Sequence, residues 1–235
     1  MTAPARRGRL SRVGPILVRG PKKFRLLSNK AGIDGWETNG PQHSKYLGQI
    51  RSLWGMENRE TASEAVSSSG GQPNQFMGDG VLALFGLDTD PATACRQALR
   101  AASAVASNVA YLNHQFASEM REPIQYGIGI HAGEVIVGDI GFRGHTVFTA
   151  LGDAVNVASR LQDLTKELDC KVVVSDEVCK TAGLSSDVLT QTDVAIRGRD
   201  GQMTVRIASD PTVFASLLDT APASDEPLSK AVAAE

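Results

Sequence analysis

The chain has 235 residues, 42% of them hydrophobic, which is enough for one domain with a sizeable core and flanking segments. Its formal net charge of -2 excludes a strong overall attraction to nucleic acid, and we expect no nucleic-acid partner. No apolar run approaches the roughly 20 residues that a membrane helix needs, so no membrane span is predicted. Three cysteines without metal-ligand spacing argue against a disulfide framework and favour a reducing, cytoplasmic location.

The first thirty residues are basic, with nine lysines and arginines and no acidic residue. Such an arm could contact nucleic acid or an anionic membrane surface, or resemble a transit peptide. A poorly ordered arm is favoured, because no amphipathic period or aromatic interleaving organises the charge. Between this arm and Gly71 only Leu47–Met56 suggests a short helix, and we expect low order before about Ser63.

From about Gly70 the sequence predicts regular elements. Two short apolar runs, Gln75–Met77 and Val81–Phe85, flank a Gly-Asp-Gly sequence. An Asp-Gly pair between such runs is a strong hairpin signal, and it predicts Asp79 at the tip of the hairpin.

A long helix and two strands come next. The helix is predicted from Asp88 to Glu119, with Asp90 as its N-cap and apolar residues at helical spacing. The strands are predicted at Ile124–Ile130 and Glu134–Ile140, in a sheet covered by helices. His131 lies between them, and without a nucleophile or an acidic partner nearby a structural role is favoured over a catalytic one.

The stretch Gly144–Leu161 combines a strand, HTVFTAL, with an amphipathic helix that begins after a Gly-Asp turn. Asn156 and Arg160 are four residues apart and therefore share a face of this helix. An amide and a guanidinium near the start of a helix can bind phosphate oxygens. Taken alone, a solvated surface helix would explain the same pattern.

The remaining elements are shorter. They are a buried strand at Cys170–Ser175, a short helix at Asp176–Ala182, and a hairpin of Thr192–Arg197 with Met203–Ile207. After Ser209 the chain is rich in alanine, serine and proline, and a frayed end is expected.

Three segments resemble class III adenylate/guanylate cyclase catalytic domains in their order and separation. They are NQFMGDGVLALFG (Asn74–Gly86), YGIGIHAGEVIVGDIG (Tyr126–Gly141) and FTALGDAVNVASRL (Phe148–Leu161). The resemblance implies an α/β fold of the α+β sandwich type, ferredoxin-like, with a mixed sheet, helices and an atypical or disordered N-terminal portion. The expected division is a basic, low-order segment at 1–66, an incomplete cyclase domain at 67–209 and a flexible tail at 210–235.

One feature of the family has no counterpart in the sequence. Class III cyclase domains begin with a central strand bearing a motif like F-x-D-I-x-G-F-[ST], whose aspartate is one of two metal ligands. No such motif precedes Gly78, and the few acidic residues there lie outside any apolar strand pattern. The sequence therefore predicts a domain without its first strand, first helix and first metal aspartate.

The resemblance also implies roles for named residues. The ribose 3′-hydroxyl of ATP attacks the α-phosphate, and metal ions, Mg²⁺ or Mn²⁺, assist. Asp79 matches the second metal ligand, Asn156 orients the ribose and Arg160 stabilises the α-phosphate in the transition state. The candidates for triphosphate binding are Arg143 and one of Arg197 and Arg199.

The resemblance also implies which base is bound and how the domain assembles. Gln75 and Thr149 occupy the family's base-reading positions, and neither matches the glutamate and cysteine typical of guanylate-specific members, so ATP is the preferred substrate. The family joins metal ligands and transition-state residues from opposite subunits, which implies a homodimer or a heterodimer with another cyclase domain. The alternative function is a catalytically impaired cyclase-like module that complements such a partner.

Overall fold

The computed structural model describes residues 9–19, 62–77, 80–118, 122–142, 145–185, 189–198 and 201–220. The strands are β1 Arg9–Arg19, β2 Gln72–Met77, β3 Gly80–Phe85, β4 Gly127–Ile130, β5 Gly133–Phe142, β6 His145–Leu151, β7 Val172–Ser175, β8 Thr190–Ala195 and β9 Gln202–Ala208. The helices are α1 (residues 62–68), α2 Pro91–Gln115, α3 Asp153–Glu167, α4 Asp176–Thr181 and α5 Val213–Thr220.

These strands form one mixed sheet in the order β2-β3-β1-β4-β7-β9-β8. The β4 and β7 strands are parallel, whereas the other pairings are antiparallel. The β5–β6 hairpin leaves this path, because β5 pairs with the first half of β1 and with β6. Strand β1 is therefore the junction between the main sheet and the hairpin.

Helices cover both faces of the main sheet. On one face α2, α4 and α5 enclose the largest core cluster, which includes Ile128 and Ile130 of β4. On the other face α3 packs over Gly127 and Gly129 of the same strand and over Val173. Burial on both faces explains why β3, β4 and β7 are apolar or glycine-rich throughout instead of alternating with polar residues.

Most elements predicted between residues 70 and 208 are confirmed. Met77 pairs with Gly80, so two residues connect β2 and β3, as the hairpin signal requires. Helix α2 begins after Asp90, whose side chain accepts a hydrogen bond from the Thr93 backbone N–H at 2.9 Å. The mixed sheet with helices agrees with the predicted fold class.

Low order was expected over 1–66, whereas the structure has β1 at Arg9–Arg19 and starts α1 at residue 62. The loss of the first strand is also not confirmed, since β1 lies in the centre of the sheet. Pro15 lacks an N–H and argues against a central strand. On the side opposite β3, however, Val13 is the last residue paired with β5 and Ile16 the first paired with β4. Pro15 therefore lies in the gap between two partners.

A flexible tail was expected at 210–235, whereas Val213–Thr220 forms α5. Phe214 and Leu218 are four residues apart, share a face of α5 and are buried in the largest core cluster. Their packing outweighs the alanine- and serine-rich composition that suggested fraying. The short helix predicted at Leu47–Met56 lies outside the described residues.

Candidate active site

Helix α3 presents Asn156 and Arg160 away from the core. Val157 and Leu161 lie on the buried side of α3 and are fully buried, whereas Asn156 is exposed and Arg160 is half-buried. The four-residue spacing puts the amide and the guanidinium on one face, one helical turn apart. The structure therefore gives the predicted pair a rigid support.

Glycines let α3 lie close to the sheet. A Cβ on Gly129 would collide with the Ala158 carbonyl oxygen, and a Cβ on Gly127 would collide with the Thr165 hydroxyl. At the start of the helix, a Cβ on Gly133 would be 2.8 Å from the Cβ of Ala154. Any side chain at these positions would move the helix that carries Asn156 and Arg160.

The turn after β8 lies beside Arg160. An added Cβ on Gly198 would be 3.7 Å from one guanidinium nitrogen of Arg160. Gly198 has φ +81°, a left-handed conformation that glycine adopts without steric cost. Arg197, which precedes it, is exposed. The structure thus brings together Arg160 and the turn that contains Arg197.

A buried ion pair joins the β8–β9 hairpin to α4. The Arg206 guanidinium on β9 donates to Asp176 Oδ1 at 2.8 Å through Nε and to Gln191 Oε1 at 3.1 Å through Nη2. The Lys180 ammonium also binds Asp176, at 2.7 Å. Hydrogen bonds hold the pKa of Asp176 below its usual value despite its burial. The bond from Lys180 lowers this pKa most, and the bond from Arg206 lowers it further.

Thr149, one of the two predicted base-reading residues, contacts the edge strand β2. Thr149 Oγ1 donates to Asn74 Oδ1 at 3.2 Å, and Asn74 Nδ2 donates to the Phe148 carbonyl oxygen at 2.9 Å. Gln75, the residue after Asn74, is exposed. Sequence reasoning did not single out Asn74, because its contact depends on how β2 approaches β6; the only local signal was its position after a proline.

His131 ties two strand ends together. Its Nδ1 is 3.0 Å from the Ser175 hydroxyl, and both residues are buried. This arrangement supports the structural role that was favoured for His131. The hydrogen bond joins the end of β4 to the end of β7. An added Cβ on Gly133, which lies beside the first turn of α3, would be 3.7 Å from the His131 Nε2.

The described part of the chain contains no two-carboxylate metal site. Asp79 lies outside the described residues, as do Arg143 and Arg199. Strand β1 lies inside the sheet, between β3 and β4, and its sequence RLSRVGPILVR contains no acidic residue. Among the described side chains no group of three or more His, Cys, Asp or Glu could hold an ion. Within the described residues, therefore, no two-carboxylate centre is assembled.

The family of the chain follows from its sequence as well as from this mixed sheet with helices. The family model of the adenylate and guanylate cyclase catalytic domain matches residues 70–209, and the chain belongs to this family. Class III cyclases generally use divalent metal ions and act as dimers.

Curated and solved relatives agree with the family. The chain is 31% identical to the adenylate cyclase of Anabaena cylindrica over 149 residues, which cover 60% of this chain and 29% of that protein. The guanylyl cyclase Cya2 has a TM-score of 0.63 at 19% identity, over 86% of this chain and 93% of that one. The adenylyl cyclase CyaB from P. aeruginosa has a TM-score of 0.63 at 18% identity, over 85% and 94%. Equal similarity to both shows the shared fold and leaves the base unassigned.

In the part of the chain that the structure describes, no helix combines the length and apolar character required to cross a membrane.

Proposed function

We propose that this domain is an adenylate cyclase, which converts ATP to 3′,5′-cyclic AMP and pyrophosphate by attack of the ribose 3′-hydroxyl on the α-phosphate. One observation carries the proposal: Arg160 lies beside the turn that contains Arg197, with Asn156 one helical turn earlier. In this proposal Asn156 orients the ribose and Arg160 stabilises the charge that develops on the α-phosphate. A guanidinium held in position before the substrate binds stabilises this charge without reorganisation.

The triphosphate and the base occupy the neighbouring surfaces in this proposal. Arg197, with Arg143 or Arg199, binds the triphosphate as a charge-assisted donor. Gln75 and Thr149 read the adenine ring. Mg²⁺ or Mn²⁺ would have Asp79 as the one identified carboxylate ligand, so we assign no step of the reaction to the ion.

A second cyclase domain is the expected partner. Ile136, Val147 and Leu151 are exposed large apolar side chains of the β5–β6 hairpin, between 51% and 58% accessible. Ile136 lies opposite Leu151 in the pairing, and Thr149 lies between Val147 and Leu151 on the same face of β6. An apolar face around a substrate-binding residue supports a dimer, either a homodimer or a heterodimer, with the base site near the interface. The three free cysteines support a reducing, cytoplasmic location.

Cyclic AMP formation by the purified chain with ATP and Mn²⁺ tests the proposal. Arg160→Ala is expected to lower kcat by about 10² to 10³, as for loss of other transition-state donors. Arg100→Ala on α2, which removes an exposed arginine far from α3, is the matched control and is expected to leave activity unchanged. Absence of product from a folded dimer, or equal activity of the Arg160→Ala variant, would contradict the enzyme proposal.

The composition of β1 favours a second candidate, a module that complements a partner cyclase. A chain without the first metal carboxylate can still supply Asn156 and Arg160 to a site whose metal ligands belong to another subunit. Co-expression with a cyclase domain that lacks its own Asn and Arg is expected to restore cyclic AMP formation. The Asn156→Ala/Arg160→Ala chain is the control and should restore none; absence of rescue by the unmodified chain would count against this candidate.

A further inference from the structure

The orientation of the Asn74 side chain results from an irregularity in the edge strand β2. Pro73 pairs with Ala83 and Gln75 pairs with Leu82, so Asn74 is an extra residue between two consecutive partners. Such a bulge redirects the side chain that it carries. Here the side chain crosses to β6 and binds both Phe148 and Thr149.

The two hydrogen bonds fix which atom of the Asn74 amide faces Thr149. The Phe148 carbonyl oxygen has no proton, so the Asn74 group that contacts it is the NH₂. The amide oxygen of Asn74 therefore faces the Thr149 hydroxyl, and this oxygen only accepts. The single proton of the Thr149 hydroxyl is consequently donated to Asn74.

We propose that Asn74 is a specificity-determining residue, which makes Thr149 an obligate hydrogen-bond acceptor and thereby favours adenine over guanine. A hydroxyl whose proton is already donated offers only lone pairs to a ligand. The exocyclic group at the six-position of adenine is an amine donor, whereas guanine has a carbonyl acceptor at that position. The Thr149 hydroxyl oxygen accepts a hydrogen bond from the adenine amine and repels the guanine carbonyl oxygen. The inference rests on the proposed function, in which Thr149 faces the base.

Nucleotide binding tests this inference without requiring turnover. The probe is a fluorescent N-methylanthraniloyl-ATP bound to the full chain, and the quantity measured is the ratio of ATP to GTP affinity from its displacement. The unmodified chain is expected to prefer ATP. Asn74→Ala frees the Thr149 proton to turn toward guanine, so the ratio should fall about fivefold to tenfold, the effect of one hydrogen bond.

Three further variants separate the hydroxyl's polarity from general damage at the edge of the sheet. Thr149→Val removes the acceptor and should lower the ratio as Asn74→Ala does, and the double variant should lower it no further. Thr149→Ser keeps the hydroxyl and should retain the ratio. Thr204→Val is the matched control, since it removes another threonine hydrogen bond, 2.7 Å long to Asp193, on the distant β8–β9 hairpin.

Two results would overturn the inference in distinguishable ways. If the chain binds nucleotide but the ratio is the same in Asn74→Ala as in the unmodified chain, whatever Thr149→Val does, or if the unmodified chain prefers GTP, Asn74 does not determine the base. If the folded chain binds neither nucleotide, the proposed function fails and this inference fails with it.

Discussion

Gly133 and Ala154 are so close that an added Cβ on Gly133 would be 2.8 Å from the Cβ of Ala154. Gly133 is the first residue of β5 and Ala154 belongs to the first turn of α3. This contact sets the distance between the sheet and the helix that carries Asn156. The position of the predicted transition-state residues therefore depends on the absence of one methyl group.

The first prediction concerns that contact. Gly133→Ala should lower the free energy of unfolding by about 1 to 3 kcal/mol, because it overpacks the junction of β5 and α3. Ala154→Gly should cost about 1 kcal/mol from helix propensity. In the double variant the collision is absent, so the combined cost in urea unfolding should be smaller than the sum. Gly183→Ala is the control: its Cβ would meet nothing within 4 Å, so its own cost, which comes from the left-handed backbone at φ +77°, should add to that of Ala154→Gly without coupling. Strict additivity of Gly133→Ala and Ala154→Gly would contradict the prediction.

The second prediction concerns the ion pair of Arg206 and Asp176. Arg206→Met should lower the free energy of unfolding by about 1 to 3 kcal/mol, since Arg206 is 3% exposed and its loss removes the hydrogen bonds to Asp176 and Gln191, with Lys180 still bound to Asp176. Lys180→Ala removes the other cation from Asp176, but the Lys180 side chain is 74% exposed and the expected cost is below about 1 kcal/mol. Urea midpoints of the two variants measure the difference. Similar costs would show that burial does not determine the strength of this pair.

The third prediction concerns the cysteines at alkaline pH. Burial raises the pKa of Cys95 and Cys179 to about 12 and that of Cys170 to about 11. In the unfolded chain the thiols ionise near pH 8.5, so above that pH the unfolded state binds fewer protons than the native state. Stability should therefore be complete below about pH 8.5 and fall as the pH rises toward 11. Urea unfolding from pH 7 to 10 measures this slope.

The same burial predicts slow modification of the thiols in the native protein at pH 8, because the thiolate is the reactive form. The rate with a thiol reagent should rise sharply in urea, which supplies the unfolded control. Rapid native reaction of all three cysteines would contradict both parts of the prediction.

The fourth prediction concerns α5. Phe214 is fully buried in the largest core cluster, so Phe214→Ala should cost about 3 to 5 kcal/mol of unfolding free energy. Asp219→Ala, at an exposed position of the same helix, should change stability by less than about 0.5 kcal/mol. Thermal and urea unfolding both report the difference. Equal, small effects would mean that α5 is not part of the cooperative unit.

Elements with local signals were predictable from the sequence. Asp90 before a proline fixed the start of α2, and the Asp-Gly pair fixed the β2–β3 hairpin, because caps and tight turns depend on a few neighbouring residues. The spacing of Asn156 and Arg160 likewise put them on one helix face. The catalytic roles of Asn156 and Arg160 and the base-reading role of Thr149 stay predictions, which the variants of these residues test, and the role of Gln75 stays a prediction as well.

Features that depend on distant partners were not predictable. The tolerance of Pro15 in β1 follows from two other strands that leave a gap opposite it. The orientation of Asn74 follows from a bulge, which is a property of the pairing with β3 and not of either strand alone. Phe214 and Leu218 had helical spacing, but only the core beneath them outweighed the composition of the segment.

The central place of β1 has a consequence for the order of events during synthesis. Arg19 pairs with Gly80 and with Gly127, which are 61 and 108 residues further along the chain. At translation rates of about 5 to 20 residues per second, the second partner emerges roughly 5 to 20 seconds after the strand that needs it. Until β3 emerges the apolar run Ile16–Val18 has no partner, and until β4 emerges one of its two sides stays unpaired. Arg12 and Arg19 stand on either side of this run, and charges that flank an apolar strand oppose its association with other chains during synthesis.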